Sequence, residues 1–420
     1  MEGSLNTRNQ LRELWKIRDF RILLTSRIVS NIGNGMAPVA LAFGVLDLPG
    51  GNASSLSIVT GVHMVPLVLF MIIGGAVADR FGRARLVGSC DLIGSLFVAI
   101  SAIEFLTGNA TVPLLAFNGF VFGVLNAIWY PAFTGLTPQI VKREQLQSAN
   151  SILGVGGNLA FTVGSAIAGM VVAAVGSGWA IMADAASFFI AGLLVFSLRH
   201  LDRVPTAKSE ENHGILHDLR EGWTEFSSRY WIVITVVAFA FFHPAFEGFL
   251  AVIAPVQAKE AMDGSRSMGF MLAGWGIGGI LGTLVALRFR VRRPLLLACG
   301  VMPLSSLWMF SLILPSPLWM AILAAVLAGI VGEVFYANWL TTLQTHVPEE
   351  SMSRVGAYDA FGSLVLAPVG LFLAGPFTNA VGTRTAIITV AIIAVIATSI
   401  PLLSREVRSL ERQDLNNVSV

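Results

Sequence analysis

Long apolar runs dominate the chain, each closed by a short cluster of charges or turn residues. A bilayer core about 30 Å thick takes roughly 20 apolar residues of helix, so runs of that length predict spanning helices. Twelve can be drawn, over residues 20–47, 54–78, 86–106, 110–137, 147–175, 177–198, 230–255, 267–287, 294–314, 317–345, 353–379 and 383–403. Pro49-Gly50-Gly51, Thr107-Gly108-Asn109, Gly176-Ser177-Gly178 and Pro315-Ser316-Pro317 supply turn chemistry between them. One long polar stretch, 199–229, parts the runs into two groups of six. Within it Ile215, Leu216, Leu219, Trp223 and Phe226 recur at helical spacing beside Asp218, Arg220, Glu221 and Glu225. That is the pattern of an amphipathic helix on a membrane surface, and a plain linker fits nearly as well. The expected organisation is an N-terminal segment 1–19, a six-helix bundle 20–198, a linker 199–229, a second bundle 230–403 and a tail 404–420.

Composition narrows the class. Of 420 residues, 55% are hydrophobic and 12% charged, against about 25% charged in soluble domains, which excludes a water-soluble enzyme. A net charge of +2 gives no whole-chain argument for nucleic-acid binding. Cys90 and Cys299 stand far apart in apolar runs with no histidine at ligand spacing, so neither a disulfide scaffold nor a metal site is expected, and no cofactor is implied. Met1 to Arg21 is polar and basic without a small-residue cleavage site, so no removable signal peptide is expected.

The positions of the basic residues test the twelve spans independently. All of the 27 except Arg27, Lys259, Arg266 and Arg384 fall in the N-terminal segment, on even-numbered loops or in the tail. Excess positive charge marks the cytoplasmic side, so both termini are expected there.

An internal repeat supports the division into halves. Sliding the chain by 206 residues pairs Tyr130 with Tyr336, Val141 with Val347, Glu144 with Glu350, Gly156 with Gly362, Gly164 with Gly370, Ala168-Gly169 with Ala374-Gly375, Val175-Gly176 with Val381-Gly382 and Ala180-Ile181 with Ala386-Ile387. A shift of 208 pairs Arg80-Phe81 with Arg288-Phe289. Two parallel repeats of six spans place a substrate path between the halves.

Span two ends Gly74-Gly75-Ala76-Val77-Ala78-Asp79-Arg80-Phe81-Gly82-Arg83-Ala84-Arg85. This resembles the signature loop of the major facilitator superfamily: Gly75, Asp79, Arg80, Gly82 and Arg83 match, while Ala84 stands where a second base is usual. Tyr130-Pro131-Ala132, Leu146-Gln147-Ser148-Ala149-Asn150-Ser151, Asp184-Ala185-Ala186-Ser187-Phe188 and Val347-Pro348-Glu349-Glu350-Ser351-Met352-Ser353-Arg354-Val355 are similar to the bacterial branch with macrolide efflux proteins and the enterobactin exporter. The resemblance implies an all-α integral membrane fold of twelve helices in two pseudo-symmetric bundles. It also implies that the loop after span two latches against the start of span eleven near Arg354, shutting the cytoplasmic side of the outward-facing state. A topogenic basic loop would explain the arginines but not Gly75 and Asp79. Span five carries Gly154, Gly156, Gly157, Gly164 and Gly169, which suits tight helix crossings; the family's antiporters carry a Gly-Pro step here, where this chain has Gly164-Ser165.

Ionisable residues inside a membrane are costly and point to function. At about 1.5 Å per residue, Glu333 in span ten lies closest to the midplane, His243 in span seven is nearly central, and Glu247 lies one turn further out. Arg27 sits in the inner half of span one, Asp184 and His63 in outer halves, and Asp91 and Asp359 near inner ends, where a structural role is expected. A carboxyl group out of water favours its neutral form, so one exposed alternately to two solutions can load and release a proton. Glu333 is the first candidate, Glu247 the second and His243 a relay; the bland alternative is a satisfied pair, such as Arg27 with Asp91. Arg27, Asn34, Asn126, Trp129, Tyr130, Phe133, Phe239, Phe242, Tyr336, Asn338 and Trp339 are candidate walls of a cavity suited to an amphipathic organic molecule, although any single aromatic equally suits helix packing.

No Gly-x-x-x-x-Gly-Lys-Ser/Thr element exists, so ATP is not the direct fuel. One charge moving through 100 mV releases about 2.3 kcal/mol, enough for a roughly fifty-fold gradient of a neutral solute. The expectation is a monomeric secondary transporter of the bacterial plasma membrane, with protons, the lipid bilayer and a small amphipathic substrate as partners, working by alternating access as an efflux antiporter. Rivals are an uptake symporter or facilitator of the same fold, a membrane enzyme or lipid-handling protein, which would cluster His, Asp or Glu at one interface, and a passive channel or receptor.

Overall fold

The computed structural model describes residues 13–203, 222–289, 291–313 and 317–412; the side chains of residues 71–80, 203, 349, 350 and 353 lie outside that description. Ile215, Leu216 and Leu219 of the expected amphipathic helix also lie outside it. Among the described residues twelve helical rods are long and apolar enough to cross a membrane: Arg18–Leu46, Ala53–Phe70, Arg83–Leu106, Val112–Ile140, Arg143–Val175, Ser177–Asp202, Tyr230–Ala261, Gly264–Arg288, Pro294–Ser311, Leu318–His346, Arg354–Val381 and Thr383–Leu403. They are numbered here as spans one to twelve; span two continues as helix to Phe81. No strand occurs among the described residues.

Prolines explain where the rods depart from regular helix. Pro303 cannot donate an amide hydrogen, and span nine breaks there into Pro294–Val301, a 3-10 turn Met302–Ser305, and Ser306–Ser311. In span seven Pro255 withholds the amide that would close onto the Ala251 carbonyl, and the preceding turn, Phe249–Ile253, widens into a π-helix. Pro244 lies inside the same span, and Pro38 inside span one stands 206 residues before it, in the register of the repeat.

By contact the chain divides into two compact units. The first holds spans one, three, four, five and six, span two from Ile58, and Asp263–Ala273 at the start of span eight. The second holds spans seven and nine to twelve, span eight from Gly274, and Asn52–Ser57. The exchanged turns are tied by related residues. In the second unit Gly375 N donates to Ser57 Oγ at 2.6 Å, and Asn379 Nδ2 to Ser54 Oγ at 2.8 Å. In the first, Ser265 Oγ donates to the Gly169 carbonyl at 3.1 Å. Gly169 and Gly375 are a 206-residue pair, and Ser57 and Ser265 a 208-residue pair.

Glycines set the helix spacing. In the first unit a Cβ at Gly164 would overlap the Ile32 carbonyl, and one at Gly33 would overlap Asp184 and Ser187. In the second, Gly278 and Gly329 face each other across spans eight and ten, and Gly370 lies directly on Pro244. The turns after spans five and eleven use Gly176 at φ 91° and Gly382 at φ 83°, a left-handed conformation costly to other residues. Cys90 and Cys299 are buried, 7% and 1% exposed, and not disulfide-bonded.

At the end bearing the basic loops, span six runs on to Asp202, past the expected stop at 198, because a 3-10 segment Ser197–Arg203 extends it. The Asp202 carboxylate accepts from Ala84 N at 2.9 Å and Arg85 N at 3.0 Å, capping span three just after Gly82, whose φ is 85°. Arg85 Nε lies 3.9 Å from the same carboxylate, and the related Arg293 lies 3.8 Å from Glu411. Asp202→Ala is expected to lower stability by about 1–2 kcal/mol, the worth of a helix cap with no replacement, read as a reduced Tm of purified protein beside an unchanged Arg85→Ala.

Candidate functional site

In the first unit the functional side chains gather around Arg27. Its guanidinium carbon lies 5.4 Å from the Trp129 ring centroid and 5.1 Å from that of Phe133. The two rings, one turn apart on span four, stack with centroids 4.6 Å apart and planes at 9°. Asp91 of span three, 4% exposed, is near enough to act electrostatically on Arg27. The Arg27–Asp91 ion pair, the bland alternative to a functional role, is not formed: among the described residues no carboxylate oxygen lies within 4.0 Å of the guanidinium. Asn31 Nδ2 donates to the Arg27 carbonyl at 2.8 Å, and Asn34 Nδ2 to Ser30 Oγ at 3.3 Å. Asn126 is half-buried and Tyr130 exposed.

The second unit repeats the aromatic pair with its members exchanged. Phe335 and Trp339, each 206 residues beyond Trp129 and Phe133, stack at 6.2 Å and 12° on span ten. Among the described residues no cation sits over them. Phe239 stacks on Phe335 at 4.3 Å, Trp231 meets Trp339 edge-on at 5.6 Å, and Trp339 Nε1 donates to Asp359 Oδ2 at 2.9 Å. Phe239, Phe242 and Trp339, expected as cavity walls, are 7%, 4% and 6% exposed and belong to the packed interior of this unit. Tyr336 is exposed, and Asn338 Nδ2 donates to the Val334 carbonyl at 2.8 Å.

The three proton candidates are not joined. His243 Nδ1 contacts two carbonyls, Phe239 O at 3.1 Å and Ser363 O at 3.0 Å. Carbonyls only accept, so Nδ1 carries the hydrogen and Nε2 is left as acceptor. Glu247 follows one turn later, half-buried, between Pro244 and the π-turn. Glu333 is half-buried on span ten with its Cβ against Gly282 of span eight and its carboxyl near the Thr283 hydroxyl, which donates to the Gly279 carbonyl at 3.1 Å. Among the described residues neither glutamate has an ion-pair partner.

Of the loop after span two, Gly82 takes the positive φ described above, and Arg83 Nη1 donates to the Gly135 carbonyl at 2.9 Å, tying the loop to the end of span four. The side chains of Asp79 and Arg80, with Gly75, lie outside the description. At the start of span eleven Gly222 packs against Arg354 and Tyr358, and Trp223 and Phe226 contact the Tyr358 ring at 5.6 and 5.7 Å. The end of the linker thus folds onto span eleven. Sequence reading missed Phe335, Thr283 and Asp202; the 206-residue register carries Trp129 to Phe335, whereas nothing in the sequence links Asp202 to span three.

Twelve helices long and apolar enough to cross a membrane, in two related groups and with charged side chains set singly inside apolar rods, fit a multi-pass membrane transporter. The chain matches the Major Facilitator Superfamily over residues 23–367 and belongs to that family. It is 28% identical over 408 residues to the multidrug efflux pump Tap of Mycolicibacterium fortuitum, covering 91% of this chain and 95% of that one. It is 23% identical over 372 residues to the enterobactin exporter EntS of Escherichia coli O1:K1 / APEC, covering 84% and 86%. Among solved structures, the nucleoside transporter NupG superposes with a TM-score of 0.69 at 13% identity over 94% of this chain and 100% of that one. A bacterial homologue of the human lysosomal transporter Spinster gives 0.67 at 16% identity over 94% and 98%. These structural likenesses establish the twelve-helix fold of the family.

Proposed function

We propose that the protein is a proton-coupled exporter of hydrophobic or amphipathic small molecules in the bacterial plasma membrane, acting as a monomer with both termini in the cytoplasm. The observation that carries the reading is Glu333, a half-buried carboxyl midway along an apolar span, with no charged partner among the described residues. Such a group is expensive to keep in a membrane and is retained where it moves charge. Thr283 gives it a proton-sensitive neighbour. One hydroxyl hydrogen can go to the Gly279 carbonyl or to an ionised Glu333, not to both. Gain or loss of a proton on Glu333 then changes the bonding between spans eight and ten. Alternation of access by movement of one six-span repeat against the other would present that carboxyl to each solution in turn. The efflux pumps among the relatives support the direction, and the aromatic residues Tyr130 and Tyr336 support an apolar cargo.

The test is transport in inverted membrane vesicles across a panel of lipophilic compounds. An imposed proton gradient, acidic inside, is expected to drive accumulation of at least one compound, and a protonophore to abolish it. Accumulation that ignores the gradient would mark a facilitator, and accumulation only with the gradient reversed a symporter; either result overturns the proposal.

A further inference from the structure

The geometry points to Arg27 as a binding site for an acidic group, so that the cargo is an aromatic or amphipathic molecule bearing a carboxylate or similar planar anion. This deepens the reading of the protein as an exporter and rests on it. A guanidinium cannot lose its charge in a protein and carries five N–H donors in a rigid fork. In span one that charge has, among the described residues, neither an ion-pair partner nor a hydrogen bond from its donors. The stacked rings of Trp129 and Phe133, 5.4 and 5.1 Å away, compensate it only in part: a cation over an aromatic face is worth about 0.5–2 kcal/mol, against several kcal/mol per ion for desolvation.

Two further features point to a ligand rather than to a packing role. Arg27 is half-buried rather than sealed, whereas the neighbouring Trp129 Nε1 is buried without a hydrogen-bond partner. The nearest acid, Asp91, is 4% exposed and stands outside ion-pair distance. A carboxylate arriving from the accessible side can take two parallel N–H bonds from the fork, while an aromatic body attached to it lies against the Trp129–Phe133 pair. The equivalent pair in the other half, Phe335 and Trp339, lacks a cation and is closed by Trp231 and Phe239, so the charged subsite belongs to one half only.

The test measures binding to purified protein in detergent, with no gradient, by thermal shift. The probes are matched pairs differing only in charge: 2-naphthoate against 2-naphthamide, and salicylate against salicylamide. Half-saturation is expected at concentrations at least about tenfold lower for an acid than for its amide, the equivalent of about 1.4 kcal/mol. Arg27→Gln is expected to bring that ratio to about one while leaving amide binding in place, and Arg27→Lys, which keeps the charge but not the fork, to retain part of it. Acids that bind no better than amides to the unmodified protein, or not at all, overturn the inference whatever the variants do. So does an Arg27→Gln protein that loses acid and amide binding equally. Because no proton gradient enters, the acid preference can survive a failure of the vesicle experiment, and a gradient-driven transport of neutral compounds can survive its absence.

Discussion

Glu333→Gln is expected to abolish gradient-driven accumulation while leaving substrate exchange across the membrane intact. Glutamine preserves the volume beside Gly282 and can still bond with Thr283, but it cannot bind and release a proton. A potential of 100 mV on one charge supports up to about a fifty-fold gradient of a neutral solute, and an uncoupled carrier supports none. Steady-state accumulation should therefore fall to about one, with counterflow of labelled against unlabelled compound unchanged as the sign that the protein still folds and cycles. Glu247→Gln is the paired measurement. Full gradient-driven accumulation in the Glu333 variant with loss in the Glu247 variant would move the proton to the carboxyl between Pro244 and the π-turn. Retention in both would remove the assignment altogether.

Gly329→Val is expected to leave no correctly folded protein. A side chain at this position would overlap the Trp275 carbonyl and come within 2.9 Å of the Gly278 Cα and the Gly279 amide nitrogen, all of them backbone. Overpacking against flexible side chains costs about 1–3 kcal/mol; here nothing flexible can yield, and spans eight and ten must separate. Total stabilities of about 5–15 kcal/mol leave little room for that. The control lies three residues along the same helix, at Gly332, where an added Cβ meets nothing within 4 Å. Gly332→Ala should elute as a single monodisperse species like the unmodified protein, while Gly329→Val should aggregate or fail to accumulate. A monodisperse Gly329→Val protein would mean that spans eight and ten do not pack as described.

The spanning pattern was legible because a bilayer imposes length and apolarity on every crossing, and all twelve rods appear where the runs lie. What escaped depends on contacts between distant residues. Asp202 caps span three from 118 residues away, so its reach past the expected end of span six has no local signal. Pro303 reads as one more residue in an apolar run, yet it breaks span nine. For the candidate site, depth along the helix singled out Arg27, Glu333 and Glu247 as candidates, because charge inside a run is visible in one dimension. Depth could not show which neighbours each would meet. His243 stands one turn from Glu247 in sequence, but its ring turns to the Ser363 carbonyl on another span, which removes Nδ1 from any relay. The alternative of an Arg27–Asp91 pair could not be judged from depth for a similar reason: the guanidinium lies beside the rings of span four, out of ion-pair distance of Asp91.

The two sealed thiols carry a practical corollary. Cys90 and Cys299 are closed in by helix packing, so water-borne maleimides have no native target among the described residues. The wild-type sequence can therefore serve as its own blank for site-directed labelling. A single cysteine engineered into any loop can carry a fluorophore or spin label, and the geography of each loop, inside or outside the cell, can be mapped without first rebuilding the interior.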